Sequence, residues 1–129
     1  MKIIAAPNAF KGSLSAYQAA QALKKGVQRI SSSIEILCLP VADGGDGIMD
    51  VLAQSLSGQI IESIVADPLF NQMVAPLCLL EKESTGIVEM AKASGLVLVQ
   101  QELRNPEKTT TLGTGQLIKR CLDLDVRRL

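Results

Sequence analysis

The sequence predicts an α/β fold that begins with a parallel strand-helix-strand unit and continues into a second α/β region with antiparallel strands. Three observations lead there. Two short apolar runs, Lys2 to Ala6 and Ile34 to Leu39, flank a stretch of helical period. From about residue 59, three more strand-like runs follow with no long helix between them. At 129 residues and 47% hydrophobic, the chain is long and apolar enough to bury a core.

Each element has its own local cause. Lys2 to Ala6 gives way at Pro7 to a polar turn, Asn8-Ala9-Phe10-Lys11-Gly12-Ser13. Ser15 with Gln18 three residues on has the spacing of a capping box, and Ala16, Ala19, Ala20, Leu23, Val27 and Ile30 recur at helical spacing. Ser31-Ser32-Ser33 ends that helix. The near-continuous apolar run Ile34 to Leu39 suits a strand covered on both faces and paired in parallel with the first. Pro40 stops it, Asp43-Gly44-Gly45-Asp46-Gly47 forms a loop, and Ile48 to Ser57 reads as a helix closed by Gly58. Gln59 to Val65, Met73 to Leu80 and Gly86 to Met90 are the further strands. Ala91 to Val99 is a tight connection and Thr114 to Leu124 a last helix. Asp125 to Leu129 reads as the approach to another strand, which predicts a truncated domain. The organisation expected is residues 1–60 as the start of one domain and 61–129 as an incomplete second.

Composition excludes several classes. Thirteen basic residues balance thirteen acidic ones, and Phe10, Tyr17 and Phe70 are the only aromatics, so neither a cationic field nor a stacking platform for nucleic acid is present. Apolar runs are cut by Glu62 and Asp67, far short of the roughly 20 residues a membrane helix needs. The N-terminal run is too short for a signal peptide, so the expected location is the cytoplasm. Cys38, Cys78 and Cys121 are scattered in apolar segments and read as buried free thiols. Histidine is absent, which removes Ser-His-Asp and Cys-His nucleophile systems; acid-base work falls to carboxylates or lysine. That restriction suits phosphoryl transfer, in which an Asp receives a hydroxyl proton.

Asp43-Gly44-Gly45-Asp46-Gly47 is the most informative pentapeptide. Its glycines let backbone N–H groups approach an anion, while its two carboxylates suit Mg²⁺ or a proton; a plain surface turn explains the same residues. Lys11-Gly12-Ser13 lies before a helix, where Lys11 meets a phosphate or is simply solvated. Thr109 to Gly115 leads into the last helix with hydroxyls that favour an anion or merely cap. Arg104 sits in a loop with the fork to clamp a carboxylate. Glu89 follows Ile87-Val88, where a strand interior rarely carries an unpaired charge, so it lines a cleft or pairs with a cation.

In order, Ala6-Pro7-Asn8-Ala9-Phe10-Lys11-Gly12-Ser13, Val41-Ala42-Asp43-Gly44-Gly45-Asp46-Gly47, Val88-Glu89-Met90-Ala91, Ala93-Ser94-Gly95-Leu96, Arg104-Asn105-Pro106 and Thr109 to Ile118 resemble the bacterial glycerate kinase type I family. The resemblance implies a Rossmann-like domain with a second domain inserted into it. It also implies ATP-dependent transfer of phosphate to a hydroxyl of glycerate, with Mg²⁺ as cofactor. Carried over residue by residue, Asp43, Asp46 and Lys11 are the catalytic candidates, with Asp43 or Asp46 the Mg²⁺ ligand. Asn8, Ser13, Gly44, Gly45, Glu89, Ser94, Arg104, Thr110 and Thr114 are the substrate- or phosphate-binding candidates. The expected partners are glycerate, ATP and a missing C-terminal segment or complementary chain; the alternative is a non-catalytic anion- or nucleotide-binding remnant or one subunit of a split kinase. The chain departs from the family's pattern at Asn8, where many members have Asp, and at Asp67-Pro68-Leu69-Phe70, where Gly-Pro-Leu-Gly is usual. It also carries Leu112 for a larger polar or aromatic residue and Gln116 for Glu.

Overall fold

In the computed structural model, which describes residues 1–10 and 12–129, the chain divides into two compact units, Met1–Val51 and Leu52–Leu129. In the first, β1 (Lys2–Ala5) and β2 (Glu35–Cys38) pair in parallel, Ile3 opposite Ile36 and Ile4 opposite Leu37, joined by α1 (Ala16–Ile30). The expected capping box is present. Ser15 Oγ accepts from Gln18 N at 3.1 Å, and Gln18 Oε1 accepts from Ser15 N at 2.9 Å, so two of the unpaired donors of the helix start are satisfied.

Alternation decides what each strand buries. Ala16, Ala19 and Ala20 are buried and small enough for close approach, and the Cys38 thiol donates to the Ala20 carbonyl at 3.4 Å. Ile4 and Leu37 point to the opposite face and stay 62% and 41% exposed. The apolar run therefore does not form a sheet covered on both faces here, because the period of two sends alternate side chains to a face that α1 does not reach. The apolar stripe of α1 is likewise buried in its first turns only, and Ile30 at its end is exposed.

The division between units falls within α2 (Ile48–Ser55). The second unit holds an antiparallel sheet, order β3 (Gln59–Ala66), β4 (Gln72–Leu80), β5 (Thr85–Ile87), with α3 (Met90–Ser94) and α4 (Leu112–Asp123). Its core is Val65, Ala75, Leu77, Ala93, Leu117 and Cys121, where alternate residues of β3 and β4 meet one stripe of α4. Two glycines make room for buried thiols. A Cβ at Gly58 would overlap Cys78 Sγ, and one at Gly86 would stand 2.9 Å from Cys121 Sγ. Burial raises both thiol pKa values, in keeping with a packing role.

The strand expected over Gly86 to Met90 is shorter. β5 ends at Ile87, and Glu89 is the N-cap of α3 rather than a residue inside a strand. The segment expected as a tight connection is α3 followed by a 3₁₀ turn at Leu96–Leu98, and α4 starts two residues earlier than its apolar period indicates. The last residues do approach a strand: Arg128 bridges Thr85 in parallel, and Gly86 N donates to Arg128 O at 2.9 Å. Among the described residues no helix is long and apolar enough to cross a membrane.

Candidate functional site

In the first unit the loops after both strands run side by side. Beyond the ladder, Leu39 N donates to Ala5 O at 2.8 Å and Val41 N to Pro7 O at 3.1 Å, so Asn8 and the Asp43 loop emerge together at the carboxyl ends of β1 and β2. Asn8, Ala9, Asp43, Gly44, Gly45 and Asp46 line one cavity of about 410 Å³. Open α/β sheets hold ligands at this end.

The shape of the loop follows from its composition. Gly44 and Gly47 take φ of 94° and 91°, left-handed backbone that strains a residue with a Cβ. Asp43 Oδ1 accepts from Gly45 N at 3.2 Å and Asn8 Oδ1 from Ala9 N at 2.7 Å, so each side chain stiffens its own turn. Two carboxylates give this cavity a cation-attracting, proton-accepting lining. Among the described residues no three His, Cys, Asp or Glu side chains gather as a metal cage. A pair of carboxylates is as many protein ligands as Mg²⁺ commonly takes, so Asp43 and Asp46 are the residues that would hold it. Lys11 lies outside the described residues. Ser13 is exposed in the neighbouring turn, where its N donates to Phe10 O at 2.9 Å, and is not among the residues lining this cavity.

In the second unit Glu89, Ser94, Thr110 and Thr114 lie on or next to α3 and the start of α4, and Arg104 lies in the chain between them. Ser94 Oγ and Thr114 Oγ1 share a hydrogen bond of 2.7 Å, partly buried, and Glu89 is 5% exposed at the other end of α3. Thr110 N donates to Pro68 O at 3.0 Å, while Thr110 Oγ1 accepts from Leu112 N at 3.1 Å. Arg104 is held in place by its Nε, which donates to Val99 O at 3.1 Å; five donors on a guanidinium leave Nη groups for an anion. Hydroxyls at a helix start favour an anion, opposite in character to the acidic loop of the first unit.

Four contributors here, Ala66, Pro68, Gly113 and Gln116, were not among the residues expected to form the site. Pro68 and Ala66, at the end of β3, supply backbone groups to Thr110 and Gln116, and Gly113 lets the start of α4 close on Ala66. Gln116 Oε1 accepts from Ala66 N at 2.7 Å. Its spacing of three from Gly113 puts both on one helix face, which is a legible signal only once the partner strand is known. The turn itself is closed by Asp67, whose carboxylate accepts from Leu69 N, Asn71 N and Asn71 Nδ2. Burial works against its charged form, but these hydrogen bonds, led by the Asn71 side chain, outweigh it and lower its pKa.

Known proteins resemble this chain along its length. A family model described as Glycerate kinase family matches residues 3–129. A protein named Glycerate kinase from Bacillus subtilis (strain 168) is 45% identical over all 129 residues, which cover 34% of its length. Glycerate 2-kinase from Escherichia coli (strain K12) is 40% identical over 123 residues, 95% of this chain and 32% of its own. A crystal structure of a candidate glycerate kinase 2 from Salmonella typhimurium LT2 matches with a TM-score of 0.77 at 40% identity, over 98% of this chain and 34% of that one. The chain thus spans about a third of the length of the relatives it matches.

Proposed function

The chain belongs to the glycerate kinase family, and from that premise we propose that it contributes to a cytoplasmic enzyme that transfers the γ-phosphoryl group of ATP to a hydroxyl of glycerate. The observation that carries this reading is the shared cavity of Asn8 and the Asp43 to Asp46 loop, at the carboxyl ends of two parallel strands. In the reaction the glycerate hydroxyl oxygen attacks the γ-phosphorus, the bond to the ADP oxygen breaks, and the hydroxyl proton passes to a carboxylate. Asp43 or Asp46 takes that proton; the other orients the hydroxyl or holds Mg²⁺, which when bound neutralises phosphate charge. Asn8 hydrogen-bonds a substrate oxygen, and Gly44 and Gly45 allow its backbone approach.

The second unit supplies the anion-holding groups in this reading. Arg104 grips a carboxylate or phosphate through its Nη groups, and Ser94, Thr110 and Thr114 donate hydroxyls beside the start of α4. Lys11 and Ser13 belong to the phosphate-holding set on the family's motif, and so does Glu89 of the second unit, buried at the N-cap of α3. On the same reading the two units are the start of a Rossmann-like domain and part of a domain inserted in it.

The test is ADP release with MgATP and glycerate, by the chain alone and by the chain mixed with the complementary two thirds of a relative, each beside Asp43→Asn. Turnover that falls at least a hundredfold in the variant, with the fold intact by circular dichroism, supports the reading. Turnover that survives the substitution overturns the role of Asp43. A folded mixture with no turnover and no MgATP binding overturns the kinase reading and favours a remnant.

A further inference from the structure

The end of β3 carries an unusual obligation. Asp67 N bonds Asn71 O in the β3–β4 turn, so by the alternation of an antiparallel ladder the preceding residue, Ala66, turns its N–H and C=O away from β4. Those outward groups belong to an edge strand and need partners from elsewhere. The start of α4 lies against both and bonds the N–H. Gly113 closes on the Ala66 carbonyl so tightly that a Cβ there would overlap its oxygen, and Gln116 Oε1 takes the Ala66 N–H at 2.7 Å. One step further along the chain, Pro68 O takes Thr110 N at 3.0 Å.

Gln116 is the one of these three contacts made by a side chain, so it can be changed without disturbing the backbone. It is also solvent-exposed, so water can replace its oxygen at Ala66 N when it is removed. A large stability role is therefore not open to it. The bond ties α4 to the end of β3, with Gly113 and Thr114 in the first turn of that helix and Thr110 just before it.

We propose that Gln116 is a positioning residue. By holding the Ala66 N–H it sets where the Thr110 and Thr114 hydroxyls and the first N–H groups of α4 meet an anionic group of the substrate. The proposal rests on the anion-holding role given to those residues above. The family's pattern has Glu at this position, and a carboxylate accepts the same N–H, so Gln116→Glu is the conservative variant.

The chain, labelled for amide NMR, is titrated with sodium glycerate and separately with inorganic phosphate, following Thr110 to Gly115. Shifts that saturate in the parent, weaken about five- to tenfold in Gln116→Leu and return to within about twofold in Gln116→Glu support the proposal, provided melting temperatures stay within a few degrees. Hydrogen exchange at Ala66 should accelerate in the Leu variant and not in the Glu variant. Gln116→Met, which keeps the length but has no amide oxygen, takes over should the Leu variant unfold. Equal affinity in the parent and in the variant lacking the oxygen overturns the proposal while the anion site stands. Failure of both probes to shift Thr110 to Gly115 in the parent overturns the anion reading and the proposal with it.

Discussion

Gly113 and Gly115 lie two residues apart in the first turns of α4, and replacing each by Ala should move stability in opposite directions. At Gly113 a Cβ would overlap the Ala66 carbonyl oxygen and stand 3.2 Å from Ala66 C and 3.3 Å from Ala93 O. All three are backbone atoms fixed by β3 and α3, so α4 itself must move away. Forced overpacking costs about 3 kcal/mol at the upper end of its usual range, and the better helix propensity of Ala returns about 1 kcal/mol, leaving a loss of about 2 kcal/mol. At Gly115 nothing lies within 4 Å of the added methyl, so only the propensity gain of up to about 1 kcal/mol remains. With about 4 °C per kcal/mol for a chain of this size, Gly113→Ala should lower the melting temperature by about 8 °C and Gly115→Ala should raise it by up to about 4 °C. Thermal and urea unfolding by circular dichroism read both. A Gly113→Ala protein as stable as the parent would refute the close approach of α4 to β3, and a rise in stability for both variants would show that helix propensity alone governs this turn.

Two further outcomes follow from polar groups in the second unit. Ser63 Oγ is buried with no hydrogen-bond partner among the described residues, so Ser63→Ala should leave stability unchanged or raise it by about 1 kcal/mol; a loss above about 1 kcal/mol in urea unfolding would reveal a partner. Asp67 has a folded pKa below its usual 3.8, so its contribution is complete above about pH 4 and is lost as pH falls through the lowered folded value. The urea midpoint of the parent should therefore drop towards that of Asp67→Ala as pH is taken from 5 to about 2.5, and a gap that stays constant would sink the assignment.

Much of this was readable from residue types. Local rules located α1, whose capping box at Ser15 and Gln18 forms as expected, and the glycine loop at Asp43, because both depend on neighbours a few residues away. The joint cavity with Asn8 was legible through the parallel pairing that brings two strand ends together. What escaped was set by tertiary contact. Glu89 reads as a strand residue because Ile87 and Val88 precede it, yet β5 stops at Ile87 and the backbone of Glu89 caps α3. The extent of α4 was hidden because Leu112 and Gly113 are poor markers of a helix start; Gly113 is helical on account of what it touches, not of its propensity. Gln116 carried no signal of its Ala66 partner, which is 50 residues away.

Apart from Asn8 in the first unit, the departures from the family's pattern are physically related rather than scattered. Asp67 and Phe70 share one turn, and Gln116 bonds the residue that precedes it, while Leu112 opens the helix on which Gln116 sits. Phe70 takes φ of 66°, where a side chain costs about 1–2 kcal/mol that glycine would not. Asp67 offsets that cost in the same turn, because its carboxylate gathers three hydrogen bonds that glycine cannot make. The turn is thus kept in shape by side-chain bonding where the pattern relies on glycine's freedom. Its shape matters because Pro68 O and Ala66 N are the groups that anchor Thr110 and Gln116. A turn that can change its residues while preserving those two backbone positions leaves the start of α4 undisturbed, so sequence variation at the hairpin tip is compatible with the anion-holding role proposed for its hydroxyls.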